Sequence, residues 1–227
     1  ARNEDALLLR PDRGLVAVAD GMGGHAAGDI ASRIAVDIVD DRTAHLPDRD
    51  LVAFLGDTIQ AAHDAILRAA SADTELEGMG TTLTLLQLDE GTGRGHIVHV
   101  GDSRAYRWRD ERLEQLTRDQ TWVQDQVDAG LISPEQARGH PFSSMLTSAL
   151  GIRESELEVQ SIALEGKAED VFLLCSDGLI ARLDDDDLSE ILQEHDDLEA
   201  TAEALVDAAN EAGGPDNITV ALVRMDR

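Results

Sequence analysis

Apolar residues recur along this chain with two different periods. Residues 6–19 hold two short apolar runs, ALLL and LVAVA, around the polar turn RPDRG, which predicts a β-hairpin. Over residues 26–45, Ile30, Ile34, Ile38 and Val39 fall at helical spacing. Leu55, Ile59, Ala62, Ile66 and Ala69 recur four and three apart, so two helices are predicted after the hairpin. Strands follow at TTLTLLQL, HIVHVGD, RAYRWR and LEQLT, joined by the turns DEGTGRG and DER. Residues 119–139 read as polar helix, with Pro134 opening a second short helix after Ser133. Strands at 156–164 and 170–175 precede another helix pair, whose second member carries Leu198, Ala202, Leu205 and Ala209, and ITVALVRM closes as a strand. Strands that meet through short turns, with helices set apart in pairs, predict an antiparallel α+β fold.

Composition narrows the function. The 227 residues are 42% apolar and 29% charged, enough for a sizeable core. No apolar run approaches the ~18 residues of a membrane-spanning helix, so no membrane association is expected. The formal charge of −27 repels nucleic acid and anionic lipid. A single cysteine, Cys175, excludes an internal disulfide and suits a reducing, cytoplasmic setting. It sits in the apolar run VFLLCSDG, which points to core packing. The chain starts at Ala1, not Met, and an upstream segment is expected.

Against this acidic background, carboxylates recur at the ends of apolar runs. VAVADG ends on Asp20, HIVHVGD on Asp102 and VFLLCSD on Asp177; Asp216 precedes the last strand, and Glu4 and Asp5 precede the first. A charged carboxylate beside a buried strand is costly unless it is paired or binds metal. One such residue is ordinarily a turn or cap, but four, with one lysine in the chain to offset them, are hard to explain that way. Oxygen donors without a His/Cys set suit hard cations, Mg²⁺ or Mn²⁺. Gly21 leaves room for its carbonyl to approach an ion, and Gly23 and Gly24 permit a loop over the site. Neither a Walker A loop nor a G-x-G-x-x-G fingerprint is present. The run DDDD at 184–187 reads as a helix start, where carboxylates favour the N-terminal dipole.

The segments RNEDA, DGMGGHAAGDIAS, GMGTTL, GDSRAYRW, LLCSDGL and PDNITV occur in order across nearly the whole chain. Together they resemble the metal-dependent serine/threonine protein phosphatases of type 2C, bacterial branch. The resemblance implies a four-layer α-β-β-α sandwich, two antiparallel sheets flanked by helix pairs, as one catalytic domain over 1–227 with its first strand truncated. It implies hydrolysis of phosphoserine and phosphothreonine in proteins by a metal-activated water. Two core Mn²⁺ or Mg²⁺ ions would be bridged by Asp20, the first also held by the Gly21 carbonyl, the second by Asp177 and Asp216. Asp102 would hold a third ion, Asp5 and Glu4 would hold waters, and Asn217 would orient Asp216 or its loop. Residues 119–155 would include a flap over the groove. Phosphorylated proteins, among them Hanks-type Ser/Thr kinases and their substrates, are the implied partners.

The chain departs from the family pattern in three places. The family's phosphate-binding arginine lies three residues before the Asn of NED, which falls before residue 1; Arg2 is its neighbour, not its match. Where Asp-His is common after L-T-x, this chain has Asp119-Gln120. The flap stretch HPFSSMLTSALG lacks both family arginines. His25 stays open between proton donor to the leaving alkoxide and orderer of the loop. His99, His140, Trp108 and Trp122 read as structural, and Thr81 and Thr82 as strand packing or support for the site. Two alternatives are kept: an anti-sigma-pathway phosphoprotein phosphatase, and a metal-binding pseudophosphatase scaffold.

Overall fold

The computed structural model describes residues 2–23, 27–47, 50–89, 91–153, 157–214 and 216–225. The hairpin is present as β1 (Ala6–Arg10) and β2 (Leu15–Ala19), followed by the two-residue β3 (Gly21–Met22). Helices α1 (Ala27–Arg42) and α2 (Leu51–Ala72) come next. Then come β4 (Gly80–Thr81), β5 (Leu83–Asp89), β6 (Arg94–Val100), β7 (Arg104–Arg109) and β8 (Arg112–Gln115). The polar stretch forms α3 (Trp122–Asp128) and α4 (Pro134–Arg138), the latter starting on a Ser133 capping box. β9 (Gln160–Glu165) and β10 (Val171–Cys175) lead to α5 (Asp177–Ile180), α6 (Asp185–Glu194), α7 (Leu198–Glu211) and β11 (Val220–Arg224).

Two antiparallel sheets result, ordered β1-β2-β5-β6-β9 and β11-β10-β7-β8, and β3 pairs with β4 as a small third sheet. The period of two along β2 shows how they stack. Leu15, Ala17 and Ala19 pack under α1 and α2, while Val16 and Val18 meet Phe172 and Leu174 of the other sheet. The far face of that sheet, with Tyr106, Leu173 and Cys175, is covered by Leu188, Leu205 and Ala209 of α6 and α7. The four layers implied by the resemblance are therefore present.

Three details differ from the sequence pattern. The buried stripe of α1 is Ala31, Ala35 and Val39, and the isoleucines flank it, because small side chains let the helix lie close to the sheet. β9 starts at Gln160, since its pairing with β6 ends at His99↔Gln160, and Gly101 then turns away at φ +106°. Asp177 opens a turn of helix directly after β10. The acidic run at 184–187 behaves as predicted: Asp184 caps α6, accepting from the Asp186 and Asp187 amides.

Candidate functional site

Strand pairing gathers the strand-end carboxylates. Asp20 leaves β2, Asp102 lies between β6 and β7, and Asp177 follows β10. Glu4, Asp20, Asp102, Asp177 and Asp216 line one cleft of about 850 Å³, together with Gly21 and Asn217. Among the described residues lining it, Arg2 is the one cationic side chain. Its guanidinium is anchored 2.5 Å from buried Asp29, which also faces Arg33 at 3.5 Å.

The N-terminal residues are fixed by partners more than 170 positions away. Ser176 Oγ and Thr219 Oγ1 donate to Asp5 Oδ2 at 2.8 and 2.6 Å. The Glu4 amide donates to Asn217 Oδ1 at 2.9 Å. Asn217 thus spends its side chain on the N-terminal segment, and only its backbone amide reaches Asp216. Gly21 and Gly28 are required by crowding: a Cβ on Gly21 would lie 2.1 Å from the Gly28 carbonyl, and one on Gly28 would lie 2.3 Å from Glu4 Oε2. Gly178 likewise leaves space for the Asn217 carbonyl.

The electrostatics of the cleft call for cations. Burial pushes the Asp20 carboxyl up to about 10, helped by the charges of Asp177 and Asp5. Burial pushes Asp102 up to about 8, with Asp177 and Asp119 adding to the effect. Asp5, Asp177 and Glu4 are raised too, each chiefly by burial. Among the described residues no three Asp, Glu, His or Cys side chains converge into a ready-made cage. The donors form an oxygen-lined cleft with room for water, the environment hard divalent cations take, since Mg²⁺ in particular keeps several waters. Positive ions between Asp20, Asp177 and Asp102 would offset the burial and the mutual repulsion that hold protons there, so the residues present fit such ions.

A set of hydroxyls behind the cleft was only partly visible in the sequence. The Asp20 amide donates to Thr82 Oγ1 at 3.0 Å, and Thr81 Oγ1 donates to the Asp20 carbonyl at 2.9 Å. Thr84 Oγ1 lies 2.8 Å from His99 Nδ1 and 3.2 Å from the Ser103 carbonyl. Thr82, just before β5, and Thr84 within it lie two apart, an extended spacing that puts both on one face, but their partners come from another strand and its loop. Burial pulls His99 down to about 4, so it is neutral. Gln120, at the departure from the family's Asp-His, is tied to two elements: its Oε1 accepts from the Gly101 amide at 2.8 Å and its side-chain amide donates to the Glu158 carbonyl at 3.0 Å. Asp119 holds Arg104 through two bonds of 2.8 and 2.6 Å. Trp122 packs at a tilt against His140 and edge-to-face against Phe142. His25 lies outside the described residues.

The chain matches the family model described as protein phosphatase 2C over residues 1–221. It is 42% identical over 220 residues to the serine/threonine protein phosphatase PstP of Mycobacterium tuberculosis, covering 97% of this chain and 41% of that protein. The chain thus spans about two fifths of the length of that relative. It is 39% identical to a serine/threonine phosphatase, stp, of Listeria monocytogenes, covering 93% of this chain and 84% of that one. The crystal structure of M. tuberculosis PstP superimposes with a TM-score of 0.92 at 40% identity, covering 100% of this chain and 94% of the other. A PstP catalytic domain in complex with two manganese ions gives 0.90 at 38% identity, with 100% and 93% covered.

Proposed function

Because this chain belongs to the protein phosphatase 2C family, we propose that it hydrolyses phosphoserine and phosphothreonine in proteins at the acidic cleft. The convergence of Glu4, Asp20, Asp102, Asp177 and Asp216 on one cleft carries this reading. Asp20 and the Gly21 carbonyl would hold one of two Mn²⁺ or Mg²⁺ ions. Asp20, Asp177 and Asp216 would hold the other, and Asp102 a third. Bound there, such ions supply a water of lowered pKa and a Lewis acid for a phosphoryl oxygen.

The protein's own groups do the positioning. Asp5, held by Ser176 and Thr219, faces Asp20 and would accept hydrogen bonds from water between them. Glu4 would do the same from the Arg2 side. Arg2, restrained by Asp29, sets fixed positive charge at the rim where a phosphate dianion enters. Residues 119–155 would include the flap of a single catalytic domain; that Ser144 and Leu146 line the cleft supports this. The role of His25 as proton donor is tested by His25→Asn, which should lower kcat and flatten its pH dependence. Phosphorylated Ser/Thr kinases of the Hanks type and their substrates are the partners this reading names, by analogy with the family. A cytoplasmic setting agrees with the buried free thiol of Cys175; among the described residues no helix is long and apolar enough to cross a membrane.

The deciding experiment is Mn²⁺-dependent phosphate release from a phosphothreonine peptide. Turnover that requires Mn²⁺ supports the reading. Stoichiometric Mn²⁺ binding without turnover would overturn it in favour of a scaffold.

A further inference from the structure

A second cavity of about 590 Å³ adjoins the acidic cleft and shares Asp102, Ser144 and Asp177 with it. It lies between the flap helices α3 and α4 and the segment from α5 to the start of α6. That volume falls in the range of about 300–1,000 Å³ typical of ligand sites. Five carboxylates, those of Asp102, Asp119, Asp177, Asp184 and Asp185, line it with three arginines, of which Arg182 has no ion pair among the described residues. Arg104 is held by Asp119, and Arg138 of α4 faces Asp184, the cap of α6, at 3.7 Å. That separation exceeds a hydrogen bond, so the flap is joined to α6 there by a loose ion pair. One wall of the cavity is apolar: Val123 and Val127 of α3, Ala137 of α4, Ile180 of α5 and Leu183 beyond it. Ser143 and Ser144, where related flaps carry polar and cationic groups, add no charge to the wall between the two spaces.

We propose that this cavity is a substrate subsite that takes an apolar side chain within two residues of the phosphorylated residue. The inference rests on the phosphatase reading of the adjoining cleft and names the substrate class that this cleft selects. An extended chain advances about 3.3–3.6 Å per residue. A peptide whose phosphate lies over Asp20 and Asp177 therefore carries its next one or two residues past Ser144 into the cavity. An aspartate there would face the five carboxylates of the lining, against Arg182 as the one arginine without an ion pair among the described residues. A leucine would cover Val127, Ala137 and Ile180 and release water from them.

The test is steady-state kinetics with Mn²⁺ on p-nitrophenyl phosphate and on phosphothreonine peptides carrying Leu, Ala or Asp at each position within two residues of the phosphothreonine. The Leu peptide should be preferred by roughly tenfold or more in kcat/KM, the discrimination an apolar pocket gives for a few carbon atoms. That preference should lie in KM. Ala137→Trp, which fills the cavity, and Val127→Asp, which makes it polar, should each erase the preference. p-Nitrophenyl phosphate has no flanking residue, so its hydrolysis should persist in both variants and report that they are folded. Equal kcat/KM for all peptides, with p-nitrophenyl phosphate turned over, overturns the subsite alone. So does a parallel fall of both substrates in the variants. Failure of the parent protein on p-nitrophenyl phosphate overturns the phosphatase reading, and this inference with it.

Discussion

The hydroxyls of Thr82 and Ser103 lie 2.6 Å apart, both buried. Thr82 also accepts from the Asp20 amide, and Ser103 directly follows Asp102. This one contact fastens the strand end that carries Asp20 to the loop that carries Asp102. Thr84 and His99 extend it into the first sheet.

Breaking that contact should loosen the site before it unfolds the protein. Thr82→Val leaves the Asp20 amide and the Ser103 hydroxyl buried without a partner, at a cost of about 1–3 kcal/mol. Denaturant unfolding should show that loss, and Mn²⁺ titration should show weakened ion binding. Ser103→Ala removes one partner of the Thr82 hydroxyl, which still accepts from the Asp20 amide, and should cost less. Unchanged Mn²⁺ affinity in Thr82→Val would show that the hydroxyl pair is packing and nothing more.

The carboxylates should separate by role. Asp20→Ala should abolish turnover and weaken both core ions, because both lose a shared donor. Asp177→Ala and Asp216→Ala should weaken one core ion. Asp102→Ala should keep two ions and the fold while turnover falls. Calorimetric Mn²⁺ titrations with circular dichroism distinguish these outcomes; loss of all ion binding in Asp102→Ala contradicts its separate role.

Stability of the metal-free protein should fall as pH rises from about 6.5 to 8. At the lower end of that window unfolded His99, with a pKa of about 6.5, still holds about half a proton that the native imidazole lacks, a smaller opposing contribution that is gone by about pH 8. Unfolded carboxylates, with pKa about 3.9, are fully ionised. The native protein keeps protons on Asp20, raised to about 10, and on Asp102, raised to about 8. The native state therefore binds more protons than the unfolded one, so its stability drops with pH. Saturating Mn²⁺ should displace those protons and flatten the profile. Asp20→Asn should raise the metal-free melting temperature at pH 8 while destroying activity. Thermal melts across the window, with chelator or with Mn²⁺, check all three; a rising metal-free profile refutes the assignment.

A stability-only contrast is available at Arg109. It forms a two-pronged ion pair with Asp170, whose side chain is 1% exposed, far from the cleft. Asp170 also accepts from the Lys167 amide at 2.7 Å. Arg109→Ala should lower stability by about 1–3 kcal/mol and leave kcat and KM unchanged. A changed kcat would reveal coupling between this end of the sandwich and the site.

The sequence alone determined the elements and the identities of the acidic donors. Short continuous apolar runs marked β2, β5 and β10, period-3.6 runs marked α2 and α7, and Asp20, Asp102, Asp177 and Asp216 stood out because charge at the end of a buried strand is costly. Those signals are local, so a window of ten residues contains them. What the tertiary structure decided is which distant groups meet. Asp5 finds Ser176 and Thr219, Asn217 turns to Glu4 rather than to Asp216, and Thr82 reaches Ser103, because strand pairing sets these distances and no periodicity encodes pairing order. The space between the flap and α5 is likewise a property of packing: Val127 and Ile180 lie 53 positions apart, and only the fold sets both beside Asp177.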